Sequence, residues 1–243
     1  MFGGQRVKYG SERNQFGVLR SGRRSAGPQP IVVFVHGGSW AVPYNRWVMG
    51  LLVRDARRRG WATFNVEYRK LGRFGGGGGW PQTFDDVRQA IELITEGTHG
   101  RSDAIDPARV VVVGHSAGAH LALCAVGTGG PRPPALVVSM AGPTDLEQIS
   151  ANGSATVDAL VANAPEANRW KLTSPVEMLP FKAPIVCVHG EADTTVYPWN
   201  SKRLVELGAA DAVFVPDETH VDGLRPKSAM WAAVVAAVSL TFL

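Results

Sequence analysis

"VVVGHSAGAHLAL", residues 111–123, carries three consecutive valines into Gly114-His115-Ser116-Ala117-Gly118 and then into a run with helical character. The valines read as a strand buried on both faces, because a strand with one wet face would alternate apolar and polar residues. Serine is a poor helix former and adds little to a core, so its place at the junction needs a reason. Small residues on both sides mean that the backbone turns too sharply there to accommodate bulk. Gly-x-Ser-x-Gly between a strand and a helix is the pattern of a nucleophile elbow, in which the turn lifts a serine hydroxyl above a sheet. Without chemistry, the same residues are a glycine-rich turn. The rest of the chain decides between the two.

Working outward, β-branched runs alternate with helical patterns, as in βα units feeding a mostly parallel sheet. Residues 5–9 and 15–20 flank a turn-like stretch and predict an opening hairpin. Pro28 and Pro30 are expected to stop pairing before the strand at 31–35. "WATFNVEYR" (61–69), 109–113, 135–139, 184–188 and 211–216 complete eight strands. Helices are expected at 46–59, with 47, 48, 51 and 52 as its apolar face, at 82–96 and at 226–242. Residues 141–183 form the longest connection and have a helical pattern near 154–162, enough for a small lid over a site. No linker or internal repeat is visible, so residues 1–243 are expected to form a single domain. "GRFGGGGGWP" lacks the Gly-Lys-Ser/Thr ending of a phosphate loop and is read as a flexible lead into a helix starting at Pro81.

An elbow serine needs a base, and the base needs an acid to orient it. In elbow-bearing sheets these follow in the order Ser, acid, His, on loops after later strands. "IVCVHGEADTTVYP" puts Asp193 just past 184–188, and "VFVPDETH" puts His220 just past 211–215. Asp145 in "AGPTDL" competes for the acid role. Asp217 lies too near His220 in sequence to be the obvious orienter and suits a helix cap. His115 and His120 cannot turn back onto Ser116 from the elbow; His36 and His189 are expected to brace loops, and His99 to be exposed. Acyl transfer also needs donors for the oxyanion. Ala117 supplies one N–H, and the glycines of "HGGSW", Gly37 and Gly38, let a second backbone segment approach. Ser39, Trp40 and His115 are candidate substrate contacts. No metal ligand set is proposed.

The chain has 243 residues, a formal charge of +4 and 19% charged residues, an ordinary globular balance. The Arg54–Arg59 and Arg20–Arg24 runs have no interleaved aromatics and are read as solvated surface, with no nucleic-acid partner expected. The apolar tail from Met230 falls short of the roughly 20 residues needed to cross a bilayer, so no membrane partner is expected. Cys124 and Cys187 sit in apolar segments without metal or disulfide spacing. With no secretory signal visible, a cytoplasmic protein with reduced thiols is expected, as monomer or homodimer.

With HGGSW, GHSAGAHLA and HGEADTTVY in place, the chain resembles the α/β-hydrolase superfamily from about Val32 to His220. Within it the chain is most similar to the group with an H-G-G-x-W loop: feruloyl and acetyl-xylan esterase-like enzymes and kynurenine formamidases (arylformamidases), and more distantly hormone-sensitive-lipase-like carboxylesterases. The resemblance implies an α/β-hydrolase fold, a mostly parallel eight-stranded sheet with helices on both faces and little or no cap. It implies Ser116, Asp193 and His220 as triad, with Gly37, Gly38 and Ala117 at the oxyanion hole and no cofactor. Ser39 stands where the lipase-like subgroup has a third glycine, and that argues against the subgroup. The expected activity is a serine carboxylesterase acting on a small-molecule ester or amide of short acyl chain. Arylformamidase activity on N-formylkynurenine is the alternative. The leaving group is expected to face solvent above Gly75–Trp80.

Overall fold

The computed structural model describes residues 4–22, 28–100, 105–128 and 132–243. Arg23 and Arg24 of the second arginine run lie outside the described residues. Eight strands form one sheet: β1 (Gln5–Lys8), β2 (Phe16–Arg20), β3 (Gln29–Val35), β4 (Ala62–Glu67), β5 (Ile105–His115), β6 (Leu136–Met140), β7 (Ile185–Gly190) and β8 (Asp211–Val215). Their order is β1-β2-β4-β3-β5-β6-β7-β8. The β1–β2 and β2–β4 pairings are antiparallel, and every later pairing is parallel. The fold is that of an α/β-hydrolase, as the sequence implied.

The valine run shows why the centre of the sheet needs no polar face. Val112 packs with Val33 and Val35 in one core layer, while Val111 and Val113 join Val32 and Phe34 in the other. The first layer is covered by α2 (Gln82–Thr95) and α3 (Ala117–Thr128), the second by α1 (Gly50–Arg58) and α8 (Ala229–Thr241). Each such side chain contributes about 1.5–3 kcal/mol on burial. Between β6 and β7 run α4 (Leu146–Ala151), α5 (Ala155–Val161) and α6 (Arg169–Thr173), and α7 (Trp199–Glu206) follows β7.

Several expectations change. Pro30 does not precede β3 but lies within it, at a register irregularity between Gln29 and Ile31 where a missing N–H is tolerated. β5 starts earlier than 109 because Ile105 pairs with Gln29. The expected helix at 46–59 opens with a 3₁₀ turn, Arg46–Met49, capped by the Asn45 side chain on the Trp47 N–H. That tighter turn shifts the phase, so Met49, Leu52, Val53 and Ala56 are buried while Trp47 is 66% and Leu51 58% exposed. His99 is buried, not exposed. Asp217 caps no helix; it turns the chain after β8 with φ +60°, and the Glu218 carboxylate accepts the first N–H groups of α8, from Ala229 and Met230. Trp231, Val234 and Val238 of α8 pack on the sheet. Among the described residues, no helix is long and apolar enough to cross a membrane.

Candidate active site

β5 ends at His115 and α3 begins at Ala117, leaving Ser116 alone at the corner with φ +53°. A side-chain-bearing residue is uncommon there, and such strain persists only where the surroundings hold it. The Ser116 N–H donates to the Met140 carbonyl at 2.9 Å, and the Ser116 carbonyl accepts from Ala119 and His120. The flanking glycines are steric necessities. A Cβ on Gly118 would stand 2.2 Å from the Val35 carbonyl oxygen, and one on Gly114 2.5 Å from the Ala119 Cα. Any larger residue would push α3 off the sheet.

The loops after β7 and β8 bring Asp193 and His220 to this corner. His220 Nε2 lies 2.9 Å from Ser116 Oγ, and His220 Nδ1 lies 2.7 Å from Asp193 Oδ2. The carboxylate can only accept, so Nδ1 carries the proton and Nε2 is left to accept from the serine hydroxyl. Asp193 is 2% exposed. Burial alone would raise its pKa, but hydrogen bonds from His189, His220 and the Val196 N–H outweigh it and hold the carboxyl below the usual range. Its other oxygen accepts the N–H groups of Thr195 and Val196 at 2.8 and 2.9 Å. Asp145, the rival acid, instead caps α4 by accepting the Gln148 N–H at 3.0 Å.

His115 was a candidate substrate contact, but it lies behind the site. As a strand residue in phase with Val111 and Val113, its side chain turns inward, where Nε2 donates to the His220 carbonyl at 2.8 Å. Burial and the neighbouring His220 push its pKa down to about 4, so it is neutral at pH 7.

The 36–40 loop lies against the serine. A Cβ on Gly37 would come within 2.7 Å of the His115 carbonyl oxygen and 2.9 Å of the Ser116 Cβ. Gly38, Ser39 and Trp40 have φ of +115°, +51° and +54°, a tight left-handed run. His36 fixes the start of the loop: its ring stacks on Tyr68 at 4.3 Å, and its carbonyl accepts the Tyr68 hydroxyl at 2.7 Å. Trp40 fixes the end. Its indole N–H donates to His120 Nδ1 at 3.2 Å, and His120 Nε2 donates to the Thr173 carbonyl at 2.8 Å. Burial pushes His120 down to about 4, which keeps Nδ1 free to accept. This relay from loop to α3 to α6 has no local sequence signal.

A cleft of about 340 Å³ opens above Ser116 and Ala117, with Ser39 and Trp40 on one side. Gly37, Gly38 and His115 do not line it. The 141–183 connection supplies a wall through residues such as Val157, as expected. Thr195–Asn200, after β7, supply another that the sequence reading missed. Gly75–Trp80 do not border the cleft. They fold onto Lys70, whose N–H donates to the Gly75 carbonyl, and onto α5, whose Leu160 carbonyl accepts the Trp80 N–H. Cys124 and Cys187 are buried free thiols, and burial raises both pKa values, that of Cys187 to about 11. Among the described residues, no group of three or more His, Cys, Asp or Glu is placed to hold a metal ion.

Comparison with known proteins gives a family and a fold. A model of the BD-FAE family matches residues 20–207. Curated relatives include a probable isoprenylcysteine alpha-carbonyl methylesterase of Arabidopsis thaliana, 29% identical over 120 residues, 49% of this chain and 24% of that protein. Esterase LipQ of Mycobacterium tuberculosis is 32% identical over 107 residues, 44% of this chain and 23% of that protein. The chain thus spans about a quarter of the length of these relatives. Among solved structures, a truncated carbohydrate esterase from gut microbiota superposes with TM-score 0.79 at 20% identity, over 97% of this chain and 94% of that one. A tributyrin-phosphonate-inhibited esterase B of Lactobacillus rhamnosis gives 0.82 at 16% identity, over 98% and 85%. At those identities the likeness concerns the fold.

Proposed function

The chain belongs to the BD-FAE family, and from that premise we propose that it is a serine esterase cleaving short-acyl carboxylic esters through an acyl-enzyme. One observation carries this: Ser116, His220 and Asp193 stand in a hydrogen-bonded line at 2.9 and 2.7 Å, and Ser116 lines a cleft. The esterase names of its relatives point the same way. His220 Nε2 takes the Ser116 proton as Oγ attacks the ester carbonyl, and Asp193 stabilises the imidazolium. The N–H of Ala117 opens α3, where first-turn donors have no helical partner and the helix dipole favours negative charge. That N–H, with the backbone at Gly37 and Gly38, receives the oxyanion. His220 then gives its proton to the leaving alcohol, and water attacks the acyl-serine by the same route in reverse. The whole chain works as one domain, with residues 141–183 as a small wall or lid over the cleft.

Ser116→Ala is the test. Fluorophosphonate labelling should vanish, and kcat on p-nitrophenyl acetate should fall by about 10⁶, the scale seen on removal of a triad serine, and by at least 10³. Near-wild-type turnover would end the proposal. Arylformamidase activity uses the same apparatus, so N-formylkynurenine belongs beside the esters; a hundredfold preference for it would change the substrate and keep the mechanism.

A further inference from the structure

A second hollow, of about 350 Å³, lies at the same edge of the sheet, between the β1–β2 hairpin and the Val42–Trp47 segment. With β3 between β4 and β5, its nearest strand, β4, is roughly 10 Å from the elbow at ordinary strand spacing, and β2 and β1 lie further out. Arg6, Arg13, Arg46 and Lys70 line it against one carboxylate, Glu67. That carboxylate is already engaged by the Lys70 ammonium, by the Arg46 N–H at 3.2 Å and by His36 at 3.5 Å. Among the described residues, none of the three guanidiniums forms an ion pair. Arg20 and Arg54 border an adjoining hollow that shares Arg46 and Trp47, so the local field is positive well beyond the hollow itself.

Two of the arginines are held in place by neighbouring rings. The Arg6 guanidinium lies over the Phe16 ring at 3.7 Å and donates to the Arg13 carbonyl at 2.8 Å; that of Arg46 lies over Trp47 at 4.1 Å. A stacked guanidinium spends its face on the ring and keeps its N–H edge free for a bidentate oxyanion. Arg46 Nη1 is buried without a hydrogen-bond partner, so this guanidinium is not fully satisfied by the protein. Tyr44, Trp47 and Phe74, at 51, 66 and 82% exposure, line the same hollow. Three bare aromatic side chains in one concave site are more than solubility favours.

We propose that this hollow binds a small aromatic or otherwise flat organic acid, its carboxylate or phosphate held by the edges of Arg6 and Arg46 and its ring lying on Trp47 and Tyr44. The site is separate from the catalytic cleft, and Tyr44 packs on Gly38, so its occupant rests on the segment that follows the oxyanion loop. Free phosphate satisfies the arginines but leaves the rings bare, which is why an aromatic acid is favoured over the bare ion. A nucleic-acid strand is the competing occupant, and an oligonucleotide arm in the test distinguishes it from the acid.

Calorimetric titration of the wild-type chain tests this with 4-hydroxybenzoate, phenyl phosphate, inorganic phosphate, 4-hydroxybenzyl alcohol and a short single-stranded oligonucleotide. Both aromatic acids should bind, inorganic phosphate at least tenfold more weakly, and the neutral alcohol not measurably. Arg46→Gln and Arg6→Gln should each weaken the acids at least tenfold, and raised salt should weaken them further. Tyr44→Ala, which removes a ring that holds neither arginine, should weaken the aromatic acids and leave inorganic phosphate unchanged; thermal unfolding of each variant checks that it is folded. No binding of the acids, equal binding by the folded arginine variants, or binding of the oligonucleotide alone would overturn the assignment.

Discussion

The strand tips that carry Ser116, Asp193 and His220 differ in construction from the 141–183 connection that walls the cleft. At the tips, Ser116 N–H is tied to Met140 and the His220 carbonyl to His115, both in the sheet, while Asp193 is held by two N–H groups of its own loop. The wall is assembled from helices of five to seven residues, α4 and α5 each started by a single side-chain cap, Asp145 and Ser154. Isolated helices of that length are not stable, so the wall holds its shape only by packing. In the proposed mechanism, a rigid reacting corner under a lightly built wall separates chemistry from substrate choice. Alterations at the tips should abolish turnover, whereas alterations in the wall should redirect it.

The sharpest break in that division is the acid. Asp193→Asn keeps the shape but lets the imidazole adopt the wrong tautomer, and kcat should fall by about 10⁴. Asp145→Asn, at the cap of α4, should change kcat by less than a few-fold. Parallel steady-state kinetics of the two variants check this; the reverse pattern would move the acid into the wall and dissolve the distinction.

The same division explains what the sequence could and could not say. Ser116, Asp193 and His220 were legible because each follows a recognisable apolar strand within a few residues. The eight strands were legible because parallel strands buried on both faces leave continuous apolar runs. The wall was not. Thr195–Asn200 border the cleft only because β7 lies where it does in the sheet, and Trp40 meets His120 across 80 residues of sequence. The inward turn of His115 follows from strand phase, a signal that was present; its placement behind His220 depended on a partner 105 residues away. The exposure of Trp47 turned on a 3₁₀ turn that helical periodicity does not foresee.

Acid should loosen the corner together with the relay that joins it to the wall. Burial holds His120 near 4, and burial with the charge of His220 does the same for His115, against an ordinary value of 6.5. Between those values the unfolded chain binds protons that the folded one does not, so stability falls as pH drops from 6.5 and levels off below 4. Each histidine contributes a loss on the order of 3 kcal/mol across that window. Asp193 works in the same direction at lower pH, since its depressed carboxyl stabilises the fold above the unfolded value and ceases to do so on protonation. Urea unfolding midpoints from pH 8 to 4 measure this, and His120→Gln should flatten the dependence. An unchanged slope in that variant would show that His120 is not a source of the acid sensitivity.

A smaller effect is expected at α5. The Ser154 hydroxyl caps this helix at the Val157 N–H, and Ser154→Ala should cost about 1 kcal/mol of local stability. If the wall is separate from the tips, the variant should alter KM for p-nitrophenyl esters and leave the pH dependence of kcat unchanged. A loss of kcat at constant KM would mean that the wall takes part in setting the reacting geometry.

The smallest effect, and the one that most directly reads the wall, is the dependence on acyl length. Burying a methylene contributes about 0.8 kcal/mol, roughly fourfold in kcat/KM, for as long as the chain finds apolar surface. The cleft, about 340 Å³, is at the low end of ligand pockets and is shared between acyl and leaving groups, with polar residues such as Asn152 and Thr195 among its lining. The gain should therefore stop early: acetyl and butyryl p-nitrophenyl esters should outrun those of eight carbons or more. Val157 is buried in the wall and borders the cleft, so Val157→Ala should enlarge it and move the optimum toward longer chains while leaving acetate turnover within a few-fold. A wild-type profile peaking at decanoate would require the short helices to part and admit the chain. The wall would then be a moving element rather than a fixed one, and its light construction would itself be the determinant of specificity.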